Sequence, residues 1–240
     1  MFSEGVRALE TAVLERTRTA AEREKTVLED ESRLHGIYDV TEPVVCGNAV
    51  FFAVKRIMDV TLSFVSGLAL ALPMVIIAIL IKLDSPGPAI FRQERLGKDG
   101  KPFTIYKFRT MYLDAEADGP QWAKRNDCRC TPLGRFLRHT RLDELPQLWN
   151  ILKGDMSIVG PRPERACFYS EFETYIHGFR YRLLVKPGLT GLAQVNGGYD
   201  LKPEEKIMFD MEYIQKQSIE LDLKCILQTI HLVFTHEGAR

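Results

Sequence analysis

The chain has 240 residues, of which 45% are apolar and 27% are charged. Its 32 Lys and Arg residues balance its 32 Asp and Glu residues, so it lacks the cationic excess that attracts nucleic acid, and no nucleic-acid partner is expected. A chain of this length suits one substantial domain with added segments. Any electrostatic binding must therefore come from local clusters of charge.

The first segment, residues 1–34, mixes charges of both signs with apolar side chains that recur at every seventh position. This spacing predicts an amphipathic helix. Charged residues such as Arg16 and Arg23 interrupt the second apolar row that a coiled coil requires, so we expect a solvated helix that packs weakly on its own protein or on a second copy. With the Pro- and Gly-containing linker that follows, it forms a predicted extension over residues 1–53, through which a homo-oligomer could form.

The second segment contains 22 consecutive uncharged residues, 60–81. As a helix this run would be about 33 Å long, enough to cross a hydrocarbon core of about 30 Å. A helix that is apolar on every side is typical of membranes. Residues 54–84 are therefore predicted to insert into a lipid bilayer.

The flanks and the middle of this run indicate how it inserts. Lys55 and Arg56 precede it and several basic residues follow it, and basic residues at both ends favour a segment that returns to the cytoplasmic face. Pro73 lacks a backbone donor and clashes with the preceding turn, which makes it the predicted break of a helix–break–helix hairpin. The residues alone leave two alternatives, a re-entrant hairpin in one leaflet and a spanning helix.

The remaining residues, 85–240, are predicted to form a compact, mainly helical domain. Two partly alternating runs, 89–94 and 103–108, flank the turn GKDGK and predict a small β-hairpin. Three further segments are predicted to be helical: 142–153, 164–176 and 203–217. Near the C-terminus, an apolar stripe from Ile219 to Phe234 predicts another helix, whose apolar face either packs in the core or lies on the lipid surface.

Five cysteines are scattered through the chain, and no secretory signal is recognised at its start. These features are typical of a protein exposed to the reducing cytosol. Cys128 and Cys130 form a single C-x-C pair without a second Cys or His pair at zinc spacing. We therefore predict reduced thiols and no zinc site.

The segment RLDELPQLWNILKGDMSIVGPRP places two adjacent carboxylates, Asp143 and Glu144, among arginines. At the start of a helix, such carboxylates can lie beside free backbone amides and a bound cation, an arrangement suited to phosphate and Mg²⁺. The alternative is that Asp143 caps the helix and Glu144 occupies its first turn, without a chemical role. The residues alone leave both interpretations open.

Basic residues concentrate around this pair: Lys107, Arg109, Arg135, Arg138, Arg141 and Arg162. Because Arg binds phosphate through paired N–H groups, the cluster predicts a phosphate-binding surface. Two prolines, Pro161 and Pro163, restrict the backbone around Arg162. A second Pro- and Gly-rich loop carries Gln194, whose amide either bonds a base or a sugar or belongs to a plain turn.

Four motifs follow one another within approximately residues 54–236: KRIMD, SPGPAIFRQERLGKDGKPFTIYKFRTM, TPLGRFLRHTRLDELPQLWNILKGDMSIVGPRP and KPGLTGLAQVNG. In this order they resemble the monotopic polyprenyl-phosphate phosphoglycosyl transferases, the bacterial sugar transferase family. The resemblance implies an α+β fold with a re-entrant membrane hairpin and a cytoplasmic catalytic domain over residues 85–240. It also implies that the protein occupies one leaflet of the bacterial inner membrane, with the catalytic domain facing the cytoplasm.

Members of that family transfer a sugar-1-phosphate from a UDP-sugar to a polyprenyl phosphate and release UMP. By this resemblance the catalytic residues are Asp143, the nucleophile that forms a covalent phosphosugar–aspartate in a ping-pong reaction, and Glu144, which supports and orients the site. Asp143 and Glu144 are also the predicted ligands of Mg²⁺. The substrate-binding positions that we predict are Arg138, Arg162, Lys107, Arg109, Arg141, Pro161, Pro163 and Gln194. The family's membrane helix breaks at a proline that usually follows a serine, whereas here Leu72 precedes Pro73.

Two other functions agree with the same residues. A membrane-bound phosphohydrolase would pass the aspartyl intermediate to water instead of to a lipid. A non-catalytic membrane scaffold would use the extension over residues 1–53 to bind partners, and its acidic pair would serve only as a helix cap.

Overall fold

The structure is a computed structural model, and it describes residues 38–117, 119, 127–198 and 201–235. The amphipathic helix that we predict over residues 1–34 lies outside the described residues. The predicted membrane segment forms two helices, α1 (Ala49–Ala69) and α2 (Ala71–Asp84), which are bent by 62° relative to each other. Within the described part of the chain, no single helix is long and apolar enough to cross a bilayer, whereas this bent pair qualifies when its two helices are taken together.

We predicted the break between these helices at Pro73. The structure places it at Leu70, three residues earlier. Pro73 is the third residue of α2, a position whose backbone N–H has no helical partner in any case. Pro73 has no N–H to donate to the carbonyl four residues earlier, which belongs to Ala69, the last residue of α1. The proline therefore accounts for the interruption, but the interruption falls one turn before the proline.

The base of α1 is held inside the protein by its charged residues. Arg56 donates hydrogen bonds to the carbonyls of Ile151 and Leu152 at 2.6 and 2.8 Å. Lys55 Nζ forms a buried ion pair with Asp222 Oδ2 at 2.5 Å. The two basic residues that we interpreted as a cytoplasmic flank therefore also have structural partners, a role that the sequence pattern did not indicate.

The same end of α1 also holds the strand that precedes residues 160–163, which we call the GPRP loop. Asp59 Oδ1 accepts hydrogen bonds from Ser157 Oγ at 3.1 Å and from Ile158 N at 2.9 Å. Lys55 Nζ also donates to the Val159 carbonyl at 3.1 Å. Helix α1 and this strand are therefore joined by buried polar contacts.

Residues 35–48, which we predicted to be a linker, contain a short strand, β1 (Tyr38–Asp39). It pairs in parallel with residues 176–177. Val40 and Val45 pack against the main core. Residues 38–48 are therefore part of the folded domain, and the pairing escaped prediction because a two-residue strand joined to a partner so distant in sequence leaves no local signal.

The predicted β-hairpin is confirmed. Strands β2 (Ile90–Leu96) and β3 (Pro102–Phe108) pair antiparallel, with Ile90 opposite Phe108 and Leu96 opposite Pro102. A 3₁₀ turn at Lys98–Gly100 connects them. Ile105 and Phe108 are buried on opposite faces of β3, in two different hydrophobic clusters, so both faces of this strand contact the rest of the protein.

The later helices and strands surround this hairpin. They are α3 (Pro132–His139), α4 (Gln147–Lys153), β4 (Ser157–Val159), α5 (Ala166–Phe172), β5 (Ile176–His177), β6 (Gly188–Thr190), α6 (Leu192–Val195), α7 (Pro203–Lys216) and α8 (Ile219–Thr235). Helix α7 agrees with the prediction for 203–217, whereas α5 is shorter than the predicted 164–176. The main core lies between these elements and contains Tyr169, Phe172, Phe179, Tyr213 and Ile214.

The helix that we predicted over 142–153 is divided. Leu142–Glu144 forms a 3₁₀ turn, and α4 begins only at Gln147. Pro146 has no N–H with which to bond the Leu142 carbonyl, and Leu145 N donates to that carbonyl at 3.3 Å instead. The acidic pair therefore lies in a tight turn before α4 and not in the first turn of an α-helix.

The GPRP loop and the KPGLTG loop pack against each other. Strands β4 and β6 pair in parallel, with Ser157 opposite Gly188 and Val159 opposite Thr190. A Cβ added at Gly191 would lie 2.1 Å from the carbonyl oxygen of Gly160, so glycine is needed where the two backbones approach. The two loops, which we predicted separately, are one structural unit.

Helix α8 buries only part of its apolar stripe. Cys225 is fully buried, whereas Leu223, Leu227 and Ile230 are 46%, 66% and 49% exposed. Of the two alternatives for this stripe, core packing therefore holds for one face only. Contact of the exposed face with lipid stays a prediction.

Candidate active site

A cavity of about 410 Å³ lies between β3, α3, the 3₁₀ turn at Leu142–Glu144, α4 and the GPRP loop. The predicted site residues that line it are Lys107, Arg109, Arg138, Arg141, Asp143, Arg162, Pro163 and Gln194. The fold therefore gathers residues from distant parts of the chain into one concave site, which is the usual form of a small-molecule site. Arg135 is exposed and is not among the cavity-lining residues.

The chain reverses at Arg141, immediately before the acidic pair. Arg141 has φ 58° and ψ 14°, a left-handed conformation that is uncommon for residues other than glycine. This reversal separates α3, which ends at His139, from the 3₁₀ turn that begins at Leu142. As a result, Arg138 at the end of α3 and Asp143 in the turn face the same cavity.

Glu144 is bound by two cations. Its Oε1 accepts from Lys107 Nζ at 3.0 Å and from Arg162 Nη2 at 2.5 Å. Burial alone would raise the pKa of Glu144, but Arg162 and Lys107 outweigh that effect and hold the pKa well below its usual range. Glu144 is therefore ionised at neutral pH and is fixed in position by charge-assisted hydrogen bonds.

Asp143 has a different environment, although it is the adjacent residue. It is only 8% exposed and lines the cavity, and its carboxylate has no hydrogen bond or ion pair with the residues that the structure describes. Burial, and then the Glu144 carboxylate, raise the pKa of Asp143 to about 6, against the attraction of Lys107, Arg138 and Arg162. At neutral pH Asp143 is therefore a mostly ionised carboxylate that faces the cavity and is available to a ligand.

Comparison with known proteins decides the family to which this site belongs. The family model described as bacterial sugar transferase matches residues 50–236, which include most of the helix pair α1 and α2 and every residue that lines the cavity. The chain belongs to the bacterial sugar transferase family. The family resemblance that we drew from the motifs is thereby confirmed.

Three relatives illustrate this membership. The "UDP-N-acetylgalactosamine-undecaprenyl-phosphate N-acetylgalactosaminephosphotransferase" of Aeromonas hydrophila is 43% identical over 195 residues, which are 80% of this chain and 46% of the relative. The proteins named "UDP-glucose:undecaprenyl-phosphate glucose-1-phosphate transferase" in Escherichia coli and Caulobacter vibrioides are each 42% identical over 190 residues, or 77% of this chain. Those residues are 41% of the Escherichia coli relative and 71% of the Caulobacter relative. The chain therefore matches less than half the length of two of these relatives.

The arginines of this family member divide into two groups. Arg138 and Arg162 line the cavity near Asp143, and Arg138 Nη1 lies 3.1 Å from Cys130 Sγ. Arg109 borders the cavity, but its guanidinium donates to the carbonyls of Ser85, at 2.7 Å, and of Pro86. Arg109 therefore secures the C-terminal end of α2, a structural role that the sequence did not indicate, and its contact with phosphate stays a prediction.

The two loop prolines also differ. Pro163 lines the cavity, whereas Pro161 is not among the lining residues and its carbonyl accepts from Gly188 N at 2.9 Å. Pro161 thus joins the GPRP loop to β6, a supporting role. Gln194 lines the cavity as predicted, with Nε2 donating to the Leu189 carbonyl at 3.1 Å.

Several polar residues of the cavity were not predicted from the sequence. Gln147, Arg95 and Lys206 all line it. Arg95 pairs with Glu164 at 3.1 Å, and burial lowers the pKa of Lys206. Only Gln147 had a local signal, because it follows Asp143 by four residues, the spacing that places side chains on one side of a helix. The other two reach the cavity through long-range packing.

The residues fit a magnesium ion that is shared with substrate phosphates. Proteins usually hold Mg²⁺ through one or two carboxylates together with phosphates and water. Asp143 offers such a carboxylate, whereas Oε1 of Glu144 already binds Lys107 and Arg162. Within the described residues, no group of three or more His, Cys, Asp or Glu side chains is placed to hold a metal ion. Asp143 is therefore the better of the two predicted protein ligands.

Proposed function

We propose that this chain transfers a sugar-1-phosphate from a UDP-sugar to a polyprenyl phosphate, such as undecaprenyl phosphate, and releases UMP. The observation that carries the proposal is that the two adjacent carboxylates differ in their hydrogen-bond partners. Glu144 binds two cations, whereas Asp143 faces the cavity without such a partner among the described residues. Relatives of the chain are named as transferases of these substrates, which supports the same reaction class.

In the first step, an ionised Asp143 oxygen attacks the sugar-bearing phosphorus of the UDP-sugar. A phosphorus–oxygen bond forms to Asp143, and the bond from that phosphorus to the bridging oxygen of the diphosphate breaks, so that UMP leaves with the electron pair. In the second step, a phosphate oxygen of the polyprenyl phosphate attacks the same phosphorus and displaces the Asp143 carboxylate. The product is a polyprenyl diphosphate sugar, and this covalent route predicts ping-pong kinetics.

The charged residues around Asp143 have complementary roles. Arg138 and Arg162 neutralise and orient the phosphates of the substrate, since guanidinium groups match phosphate oxygens. Glu144 holds Lys107 and Arg162 in place, so it acts as a positioning residue. Mg²⁺, when bound to Asp143 and the substrate, neutralises negative charge on the phosphoryl oxygens.

The proposal includes a re-entrant membrane hairpin. The support is the 62° bend between α1 and α2, together with exposed apolar side chains on both helices, such as Leu68 and Leu72. The buried contacts of Lys55 and Asp59 keep the base of α1 on the catalytic domain. The protein would thus lie in one leaflet of the bacterial inner membrane with the active site facing the cytoplasm, at the first membrane step of glycoconjugate assembly.

The reaction is tested with the full chain in nanodiscs, Mg²⁺, undecaprenyl phosphate and a panel of UDP-sugars. We expect UMP release and a lipid-linked sugar with at least one donor, and absence of both products with every donor would contradict the proposal. A phosphohydrolase would instead release free sugar phosphate without the lipid. A scaffold would show no activity that Asp143→Asn removes.

The topology is tested by labelling single cysteines introduced at positions 50 and 100, in a chain whose exposed native cysteines have been replaced. A re-entrant hairpin predicts that a membrane-impermeant reagent reaches both positions from the same side. Labelling from opposite sides would show that the segment spans the bilayer.

A further inference from the structure

Gln147 is the first residue of α4 and is only 1% exposed. Its amide nitrogen Nε2 is buried and has no hydrogen-bond partner among the residues that the structure describes. Leaving such a group unpaired costs about 1–3 kcal/mol. A leucine or methionine would fill the same volume without that cost, so the buried amide requires a reason.

The position of Gln147 indicates the reason. Gln147 lines the same cavity as Asp143 and follows it by four residues. The side chains of Arg138 and Arg162 line this cavity too. Gln147 therefore borders the space in which the proposed function puts the substrate phosphates.

A neutral donor is also chemically suited to this position. A further cation beside Asp143 would pair with the carboxylate, lower its pKa and weaken it as a nucleophile. The amide of Gln147 carries no net charge, so it can donate to a phosphoryl oxygen without neutralising Asp143. It thereby adds a hydrogen bond where negative charge develops during the reaction.

We propose that Gln147 contacts the substrate, with Nε2 donating a hydrogen bond to an oxygen of the phosphoryl group that Asp143 attacks. This inference rests on the proposed function, and it gives a catalytic role to a residue for which neither the sequence analysis nor the names of the relatives stated one. Bound substrate would supply the partner that Nε2 lacks in the free protein.

Gln217 provides a matched control. It is also a buried glutamine, 3% exposed, whose Nε2 has no partner among the described residues, but it is not among the residues that line the cavity. Replacing either glutamine by methionine removes one buried amide and keeps most of the side-chain volume. The two variants therefore have the same expected effect on folding and different expected effects on the reaction.

The experiment compares the wild type, Gln147→Met and Gln217→Met as full chains in nanodiscs. Thermal unfolding confirms folding, UMP release from a panel of UDP-sugars gives kcat/KM, and calorimetric titration with UDP in the presence of Mg²⁺ gives a Kd. We expect Gln147→Met to lower kcat/KM by about 10-fold or more and to weaken UDP binding about 2–10-fold. Gln217→Met should leave both values unchanged.

Two results would overturn the inference. One is a folded Gln147→Met chain with the same kcat/KM and the same Kd for UDP as the wild type. The other is an equal loss in both variants, which would show a general effect of removing a buried amide. If the wild type releases no UMP with any sugar, the proposed reaction fails, and the UDP titration alone then decides whether Gln147 binds phosphate.

Discussion

Two buried charge clusters of this protein differ in how completely their carboxylates are paired. At the base of α1, Asp222 accepts from Lys55 at 2.5 Å and from Tyr213 at 2.9 Å, so both of its oxygens have partners. In the cavity, Oε1 of Glu144 accepts from both Lys107 and Arg162, whereas the Asp143 carboxylate has no such partner among the described residues. The first cluster is complete within the chain, and the second leaves one carboxylate for a ligand.

The pKa direction does not distinguish these clusters. Burial raises the pKa of Asp222 as it raises that of Asp143. What separates them is geometry, because Asp222 lies within the core and Asp143 faces a cavity. An uncommon pKa therefore becomes a functional indication only together with an accessible, unpaired carboxylate.

The largest expected effect is that of Asp143→Asn on activity. The variant should lose about 10⁴-fold or more in kcat, because the amide is a poor nucleophile. UMP release in nanodiscs measures this loss. Activity within tenfold of the wild type would remove Asp143 from the centre of the mechanism.

The same variant tests how Asp143 affects stability. A folded pKa of about 6, above the ordinary 3.8, means that the folded state binds the proton more tightly than the unfolded state does. Ionisation therefore destabilises the fold as pH rises from about 4 to about 6, by about 1–3 kcal/mol. Denaturant unfolding should show Asp143→Asn to be more stable than the wild type at pH 8 and equally stable at pH 4. An equal difference at both pH values would contradict this.

At the base of α1, replacing a buried Asp by Asn is expected to destabilise the protein, whereas the same change at Asp143 is expected to stabilise it at pH 8. Asp222→Asn leaves Lys55 buried without its counter-ion, which costs about 3–5 kcal/mol of the free energy of unfolding. Adding Lys55→Met to this variant should recover much of the loss, because both charges are then absent. Equal stability of Asp222→Asn and the wild type would mean that the two clusters do not differ as described.

Glu144→Gln should have a smaller effect on activity than Asp143→Asn, with a loss of about 10²-fold from misplacement of Lys107 and Arg162. Because the Glu144 charge raises the pKa of Asp143, its removal should lower that pKa. Because the proposed attack requires ionised Asp143, the acidic limb of the pH profile of kcat/KM should move from about pH 6 to lower pH. A shift to higher pH would contradict the assigned interaction.

The smallest expected effect concerns the difference between Arg109, which binds the end of α2, and Arg138, which lines the cavity. Arg109→Met should lower the free energy of unfolding by about 1–3 kcal/mol, because it removes the donors that the carbonyls at the end of α2 accept from. Its KM for the UDP-sugar should rise less than that of Arg138→Met. Steady-state kinetics and denaturant unfolding of both variants measure these differences, and a larger KM increase in Arg109→Met would return Arg109 to the phosphate site.

The sequence predicted best those features that depend on neighbours along the chain. The β2–β3 hairpin follows from alternating strands around a tight turn, and the acidic pair with its arginines was visible in one segment. Pro73 indicated an interrupted membrane helix, but the break falls at Leu70 because a proline disturbs the carbonyl four residues before it. Pro146 likewise divides the helix predicted over 142–153.

Features that depend on distant partners were not predictable in this way. The pairing of β1 with β5, the buried partners of Lys55 and the attachment of Arg109 to the end of α2 all join segments far apart in sequence. Residue type alone grouped Arg109 with the other arginines that we predicted to bind phosphate. Three-dimensional packing was needed to separate it from them, and to show that Asp143 and Glu144 have different environments.

The central claim is that Asp143 forms the covalent intermediate. The most direct measurement is the mass of the Asp143-containing peptide after the chain is incubated with Mg²⁺ and a UDP-sugar that supports turnover, without polyprenyl phosphate. We expect a sugar-phosphate adduct on Asp143, a matching amount of UMP, and loss of the adduct when polyprenyl phosphate is added. UMP release only in the presence of the lipid, with no adduct under rapid quenching, would contradict it.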